Sequence, residues 1–435
     1  MKIAILNKSD ATGGAAVVSF RLMEALRSQG IDARMVVAEK ITDSPYVTLA
    51  DSPRQIRWKF FKERLKIFIA NGLNRQSLFK IDTGEEGLPV ADNPLINEAD
   101  AVLINWVNQG MVSLKGVRKL LKMGKPVIWT MHDMWCMTGI CHHAGNCRHY
   151  IEECGNCPLL NEKASPNDLS HKIWKKKFIL YNEPGLFNKM AFVAVSHWLK
   201  DKALESSLLK AQRIEVIPNA FNIEDDLEAS REDKVNTDDY KDKKKLRILF
   251  GAARIDDPIK GLDTLKEATE ILKRDFPDKA MNLEIAVFGS VKDPSTLENF
   301  SIPLINLGML KGNDEIRKAY LASDVVVSAS YYETLPGTMV EAQAYGCVPV
   351  CFNQGGQSDI IDHQVTGYIA EYNDDISVRA KNLASGIAEA YDIVCDPETR
   401  SEIQRRMKES VKNKFSYEKV AGSYIQLIKE LQSAE

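Results

Sequence analysis

Tyr331-Tyr-Glu-Thr-Leu-Pro-Gly-Thr-Met-Val-Glu-Ala-Gln-Ala-Tyr-Gly-Cys-Val-Pro-Val350 is the stretch on which the reading of this chain turns. An apolar, strand-like run from Asp324 to Ser330 leads into it, and a second, Val348 to Phe352, leads out. The segment between them reads as a loop followed by a helix from about Thr338 to Tyr345, the strand–loop–helix–strand order of a parallel sheet. The first turn of such a helix has backbone N–H groups without intrahelical partners, a natural seat for phosphate. Glu333 stands before that seat and Glu341 about one turn inside the helix. Carboxylates on either side of an anion seat suit a ligand with phosphate in its middle and hydroxyls at both ends, the form of a nucleotide-diphosphate sugar.

The chain has 435 residues, too many for one core, so two domains are expected. With 44% hydrophobic and 27% charged residues it has the composition of a soluble globular protein. A net charge of −3 gives no support for bulk nucleic-acid binding. No apolar run approaches the ~20 residues that cross a bilayer, and Met1–Asn7 reads as a buried first strand rather than a signal peptide. A cytoplasmic protein is expected.

The N-terminal half has a β-loop-α-β opening. A strand over Lys2–Asn7 is followed by a loop carrying Gly13 and Gly14, a helix from about Ala15 to Gln29, and a strand over Ala33–Glu39. Gly13 and Gly14 have no Cβ and let a ligand come close at the carboxyl edge of the sheet, where open parallel sheets bind ligands. The G-x-G-x-x-G fingerprint of a nicotinamide site is absent. Arg54 to Lys80 is basic and amphipathic, with Trp58, Phe61, Leu65 and Phe68 on one stripe. It reads as a surface helix docked on the core or as a peripheral contact with an anionic membrane. Further strands over Ala101–Trp106 and Pro126–Met131 follow, the second ending in His132-Asp133, a place for a hydroxyl contact or for chemistry.

The segment 135–158 holds five of the eight cysteines. Cys154 and Cys157 form a C-x-x-C pair, and Cys141 and Cys147 lie six apart. Four thiolates could close a structural zinc site there, with Cys136, His142, His143 and His149 as competing ligands. Two local disulfides or free thiols are the alternatives. After strands over Ala191–Val195 and Arg213–Ile217, the charged run from about Asn222 to Lys245 reads as a linker. The rhythm then restarts. A strand over Leu246–Ala252 leads to Arg254-Ile-Asp-Asp-Pro-Ile-Lys-Gly261 and a helix from about Leu262, so Arg254 and Lys260 stand where a diphosphate could lie. The domains read as 1–222, a linker over 223–245, 246–415, and a terminal helix over 416–435.

This order of motifs resembles the retaining glycosyltransferases of family 4, which have the GT-B fold: α/β, two Rossmann-like domains facing a cleft. The resemblance covers nearly the whole chain. It rests on Gly13-Gly14, His132-Asp133, Ser196, Pro218-Asn219, Arg254 with Lys260-Gly261, Glu333 through Glu341, and Gly355-Gly356. The loop after His132-Asp133-Met-Trp resembles that of bacterial enzymes building capsular or exopolysaccharide chains, colanic-acid-type transferases among them. The resemblance implies a UDP- or GDP-sugar donor held by the C-terminal domain and a saccharide acceptor, lipid-linked in such pathways, held by the N-terminal one. Arg254 and Lys260 would neutralise the diphosphate and Glu333 would hold donor-sugar hydroxyls. Leu335, Pro336, Gly337 and Thr338 would supply backbone contacts, and Glu341 would accept from the ribose. Gly13 and Gly14 would admit the donor phosphates, and His132 and Asp133 would meet the transferred sugar. Transfer would run at the front face with retention, and no metal is required because Arg and Lys take its place. Ala220 and Asp359 depart from the family's usual Gly and Glu. A sugar-nucleotide epimerase and a non-catalytic zinc-stapled interaction protein are the alternative readings.

Overall fold

The structure, a computed structural model, describes residues 1–223 and 245–433. The charged connection expected over 223–245 therefore lies, apart from its two end residues, outside the described residues. The chain divides into two compact units, Met1–Phe221 with Tyr417–Glu435, and Asn222–Ser416.

Among the described residues of the first unit, seven strands form one sheet in the order β3-β2-β1-β4-β5-β6-β7. These are β1 (Lys2–Ser9), β2 (Asp32–Glu39), β3 (Val47–Leu49), β4 (Ala101–Ile104), β5 (Val127–Met131), β6 (Met190–Ala194) and β7 (Ile214–Val216). Every neighbouring pair is parallel. β4, β5 and β6 are buried at every residue. Helices on both faces of a parallel sheet leave no strand face wet, so these strands read as continuous apolar runs without alternation. The order reverses between β1 and β4.

The second unit repeats the plan with β8 (Leu246–Arg254), β9 (Leu283–Ser290), β10 (Leu304–Gly308), β11 (Val325–Ser328), β12 (Val348–Phe352) and β13 (Tyr368–Ala370). Their order is β10-β9-β8-β11-β12-β13, again all parallel, with the reversal between β8 and β11. Ile248, Phe250, Leu265, Val325, Val350 and Leu383 lie at the centre of its core.

The last helix, Tyr417–Ser433, belongs to the first unit. Its apolar stripe of Val420, Tyr424, Leu427, Ile428 and Leu431 is buried in one cluster with Leu22, Met23 and Leu26 of the helix Gly14–Ser28. The Tyr424 and Thr130 hydroxyls are 2.8 Å apart, and Tyr417 donates to Glu24 at 2.9 Å.

The helix Pro53–Ala70 is turned the other way from a docked surface helix. Of the expected stripe, Trp58, Phe61 and Leu65 are exposed and Phe68 is half-buried; Ile69 is exposed as well, whereas Glu63 and Arg64 are buried with Ile67. The inward face is polar because it meets an irregular segment whose donors need acceptors. Glu63 accepts from Thr83 N and Oγ1 at 2.6 and 2.7 Å, from Gly84 N at 3.2 Å and from Glu86 N at 3.3 Å. Arg64 pairs with Asp82. The expectation that the aromatic stripe docks this helix on the core is therefore corrected. Among the described residues no helix is long and apolar enough to cross a membrane.

Asp82 continues inward to His142, whose ring is held between two carboxylates: Nε2 lies 2.8 Å from Asp82 and Nδ1 2.7 Å from Asp133. Burial disfavours the charged imidazole, but Asp133 and Asp82 outweigh it and raise His142 to about 9. Burial likewise pushes Asp133 upward, yet the imidazolium and the Trp135 N–H hold it down at about 2.

Two outcomes are expected. Replacing Leu427 by Ala should cost about 3 kcal/mol through the cavity left at the helix interface, read from the urea midpoint. Ser423→Ala, which removes only a half-buried hydroxyl bonded back to the Lys419 carbonyl, should stay within about 0.5 kcal/mol. The folded pKa of His142 stands above its unfolded value of about 6.5. Its contribution to stability is therefore complete below that pH and is lost as pH rises through the folded value. Urea midpoints should fall between pH 7 and 9.5, roughly, and His142→Gln should start lower and show a flatter slope.

Candidate functional site

In the second unit the chain leaves β8 through Arg254 and the loop to Gly261, and leaves β11 through the stretch that begins at Ser330. These are the two strands flanking the reversal, where ligands sit in open parallel sheets. The loops are joined: Tyr331 N donates to Ile259 O at 2.9 Å. Gly261 is obligatory at this contact, since its φ is +71° and a Cβ would run into the Ala329 carbonyl. Lys260 forms an ion pair with Glu333, and Ser330 Oγ donates to the same carboxylate oxygen at 3.1 Å. Arg254 pairs with Asp257 at 2.9 Å and lies 3.5 Å from Asp256. Glu333 also meets the next strand end through its backbone: Gly356 N donates to Glu333 O at 2.7 Å. Gly355, at φ +79°, permits that approach because any Cβ would strike the same carbonyl.

The helix runs Gly337–Tyr345 with Pro336 as its N-cap, and no side chain caps its first turn. Leu335 and Pro336 are buried, and Gly337 and Thr338 are half-buried at the turn. Glu341 accepts from Tyr320 O–H at 3.0 Å. Tyr331, which opens the quoted stretch but has no role in the sequence reading, ties the loops together. Its hydroxyl donates to Asp263 at 2.8 Å and accepts from Arg379 at 3.1 Å, and the Arg379 guanidinium covers the ring at 4.6 Å. Arg379 comes from a later helix, Ile376–Cys395, and no local motif marks it. The second unit thus brings together Lys260, Glu333 and the uncapped helix start, with Arg254 on the same loop as Lys260.

In the first unit Gly13, at φ +90°, is the N-cap of the helix Gly14–Ser28; no side chain caps it, and open space surrounds both glycines. The loop before it is held by Asp10, which accepts from Ile41 N and Thr42 N at 2.8 and 3.0 Å. His132 lies at the end of β5, with Nε2 2.9 Å from Asn105 Oδ1. Desolvation lowers His132 to about 4 despite the opposing charge of Asp133, so the ring is neutral at physiological pH. Asp133 is engaged from within: Trp106 Nε1 and Trp135 N each donate to it at 2.8 Å, and His142 holds the remaining side. The structure places Asp133 as the anchor of the segment after β5.

Cys141, Cys147, Cys154 and Cys157 line one small pocket with Thr138, and all four are free thiols. The zinc expectation is not supported, because among the described residues no group of three or more His, Cys, Asp or Glu side chains is arranged to hold a metal ion. The competing histidines are otherwise occupied: His142 by its two carboxylates and His149 by Gly155 O at 2.7 Å. Polar bonds shape the loop instead. Asp168 accepts from Cys157 N and Ser170 N at 2.8 Å each. The buried Lys177 ammonium donates to the Trp135 and Thr138 carbonyls at 2.5 and 3.0 Å. Burial pushes Cys141 up to about 12 and Cys154 and Cys157 up to about 11.

A family model described as Glycosyl transferases group 1 matches residues 233–413, and one described as Glycosyltransferase Family 4 matches residues 12–225. An uncharacterized glycosyltransferase of Methanocaldococcus jannaschii is 27% identical over 54% of this chain, a match spanning 59% of that relative's length. A putative colanic acid biosynthesis glycosyl transferase, WcaC of Escherichia coli, is 23% identical over 80% of this chain and 82% of its own. Among solved structures, a glycosyltransferase from Rickettsia africae shares the fold with a TM-score of 0.61 at 16% identity, covering 100% of this chain and 99% of that one. HepE from Anabaena, solved in complex with UDP, does so with a TM-score of 0.56 at 14% identity, covering 99% and 100%. Two parallel-sheet units of the GT-B type, each matched by its own family model, make this chain a member of the family 4 glycosyltransferases.

Proposed function

We propose that the protein transfers a sugar, with retention, from a UDP- or GDP-sugar to a saccharide acceptor carried on a lipid, in the building of a cell-surface polysaccharide. The observation that carries this reading is the junction of the β8 and β11 loops. It sets Lys260 against Glu333 beside an uncapped helix start, with Arg254 on the same loop. Cations next to open N–H groups suit a diphosphate, and a carboxylate next to them suits sugar hydroxyls. The presence of UDP in the Anabaena neighbour and the likeness to a colanic acid transferase support the donor class and the pathway.

In this reading Arg254 and Lys260 neutralise the diphosphate, and Leu335, Pro336, Gly337 and Thr338 place the helix start on a phosphate oxygen. Glu341 accepts from the ribose while Tyr320 keeps it oriented. Lys260 moves part of its charge from Glu333 to the phosphate as the donor binds, which frees Glu333 for sugar hydroxyls. In the first unit Gly13 and Gly14 admit phosphate and His132 meets the sugar, with Asp133 holding the segment in place. The C1–O bond to the diphosphate breaks as the bond from the acceptor oxygen to C1 forms on the same face. The acceptor's proton passes to a phosphate oxygen of the leaving group. Stabilising charge that grows on the leaving diphosphate is where fixed cations contribute most.

The lipid-linked acceptor and a peripheral membrane contact over 54–80 are supported by the outward stripe of Trp58, Phe61, Leu65 and Ile69. Arg54, Arg57 and Lys62 lie on the same helix, a pairing of apolar and basic groups that suits an anionic bilayer.

Three experiments test these readings. Calorimetry with UDP and GDP should show binding of at least one, weakened by Glu341→Ala; a protein that binds neither would sink the donor assignment. In turnover, Lys260→Ala and Arg254→Ala should each lose about 2–4 kcal/mol of transition-state stabilisation, roughly 30- to 1000-fold in rate. For the membrane, the protein should float with vesicles containing phosphatidylglycerol, less so at high salt. The pair Trp58→Ser with Phe61→Ser should cut that fraction by about tenfold or more; unchanged flotation of the pair removes this face from the model.

A further inference from the structure

Asn105 is the first residue beyond β4, so in the first unit it occupies one of the two strand ends at the reversal of sheet order. It is 2% exposed, and its amide group is divided between two tasks. Oδ1 lies 2.9 Å from His132 Nε2. Nδ2 is buried with no hydrogen-bond partner. The side chain lines a small pocket together with Thr130, His132, Pro218, Asn219 and Tyr424, closed on one side by the terminal helix. A buried amide nitrogen without an acceptor is destabilising, and a water, an ion or a ligand oxygen can complete it.

We propose that Asn105 is a positioning residue of the first unit's site: its amide oxygen holds His132 as the Nε2–H tautomer, and its amide nitrogen donates to an oxygen of the bound saccharide. A carbonyl oxygen can only accept, so the proton of the neutral ring must sit on Nε2. Nδ1 is then the ring's acceptor, and the ring plane is set by the amide. The pocket beside it has room for a single hydroxyl-sized group, with the Asn105 nitrogen as donor, Asn219 and the mutually bonded Thr130 and Tyr424 hydroxyls as polar neighbours, and Val18, Leu22 and Val420 as apolar wall. The part of this inference that concerns turnover rests on the glycosyl-transfer reading; the tautomer does not.

Nitrogen-15 NMR of the histidine rings tests the two parts separately, with His132 assigned by its absence in His132→Asn. In the full chain His132 should show a protonated Nε2 and an unprotonated Nδ1. Asn105→Ala should lose that preference and become a mixture of tautomers. Asn105→Asp, which keeps an acceptor in place, should restore Nε2–H and shift the ring's titration upward. An Nδ1–H ring in the wild type, or a tautomer unmoved in Asn105→Ala, overturns the inference whatever the activity. With the sugar nucleotide that the wild type turns over, Asn105→Ala should lower kcat by tenfold or more with little change in the donor KM. An unchanged kcat would remove the positioning role even if the tautomer follows the amide. A wild type that turns over no sugar nucleotide counts against the function, and the NMR result still decides the tautomer.

Discussion

Two neighbouring parallel strands whose connections leave toward opposite faces of the sheet have nothing packed above the gap between their carboxyl ends. This chain makes that arrangement twice, between β1 and β4 and between β8 and β11. Most of the groups proposed to bear on function gather at these two points, with His132 one strand further along, after β5. Gly13, Gly14 and Asn105 follow the first pair, and Arg254, Lys260 and the Ser330–Thr338 stretch follow the second. Strand termini also aim unpaired backbone groups and helix starts at the same gap, which explains why uncapped first turns begin at Gly14 and at Gly337. A side-chain cap at either place would occupy the N–H groups that an anion needs.

Around this frame, polar contacts settle geometry that apolar packing leaves loose. In the second unit Tyr331 is tied to Asp263, Arg379 and the Ile259 carbonyl, so the loop carrying Glu333 has little freedom relative to the loop carrying Lys260. In the first unit the chain Arg64–Asp82–His142–Asp133 crosses from a peripheral helix to the end of β5. Buried ions are costly unless each has partners, and here each carboxylate has at least three. Asp82 meets Arg64, His142 and Gln109 N; Asp133 meets His142, Trp106 and Trp135 N. The consequence reaches the surface. Because the helix Pro53–Ala70 spends its inward face on Glu63 and Arg64, Trp58 and Phe61 are left on the outside.

The cysteine-bearing loop shows how residue type can mislead without distances. A C-x-x-C pair and two more cysteines within seventeen residues suggested a metal staple. The four thiols do share a pocket, but the loop is held by Asp168 and Lys177, two residues of ordinary appearance in the sequence, and by His142, which binds carboxylates and not a metal. Lys177 carries no sign in its neighbourhood that it alone, among the lysines of its helix, is buried.

Local pattern determined a good deal by itself. Apolar runs without alternation marked parallel strands, because a sheet covered on both faces needs no wet side. Glycine pairs and the Glu333–Glu341 segment marked the strand ends that matter, since close backbone approach and helix starts are properties of a few adjacent residues. Val420, Tyr424, Leu427 and Leu431 stand at helical spacing, so the apolar stripe of the terminal helix is likewise a property of local pattern. Tertiary structure alone decided which partners those groups have. The ion pair of Lys260 with Glu333, the clamp of Arg379 on Tyr331, the inversion of the helix Pro53–Ala70 and the hold of Asn105 on His132 join residues far apart in the chain. Hydrogen bonds and ion pairs act only over a few ångströms, so their partners are set by the folded path of the chain and not by its local pattern.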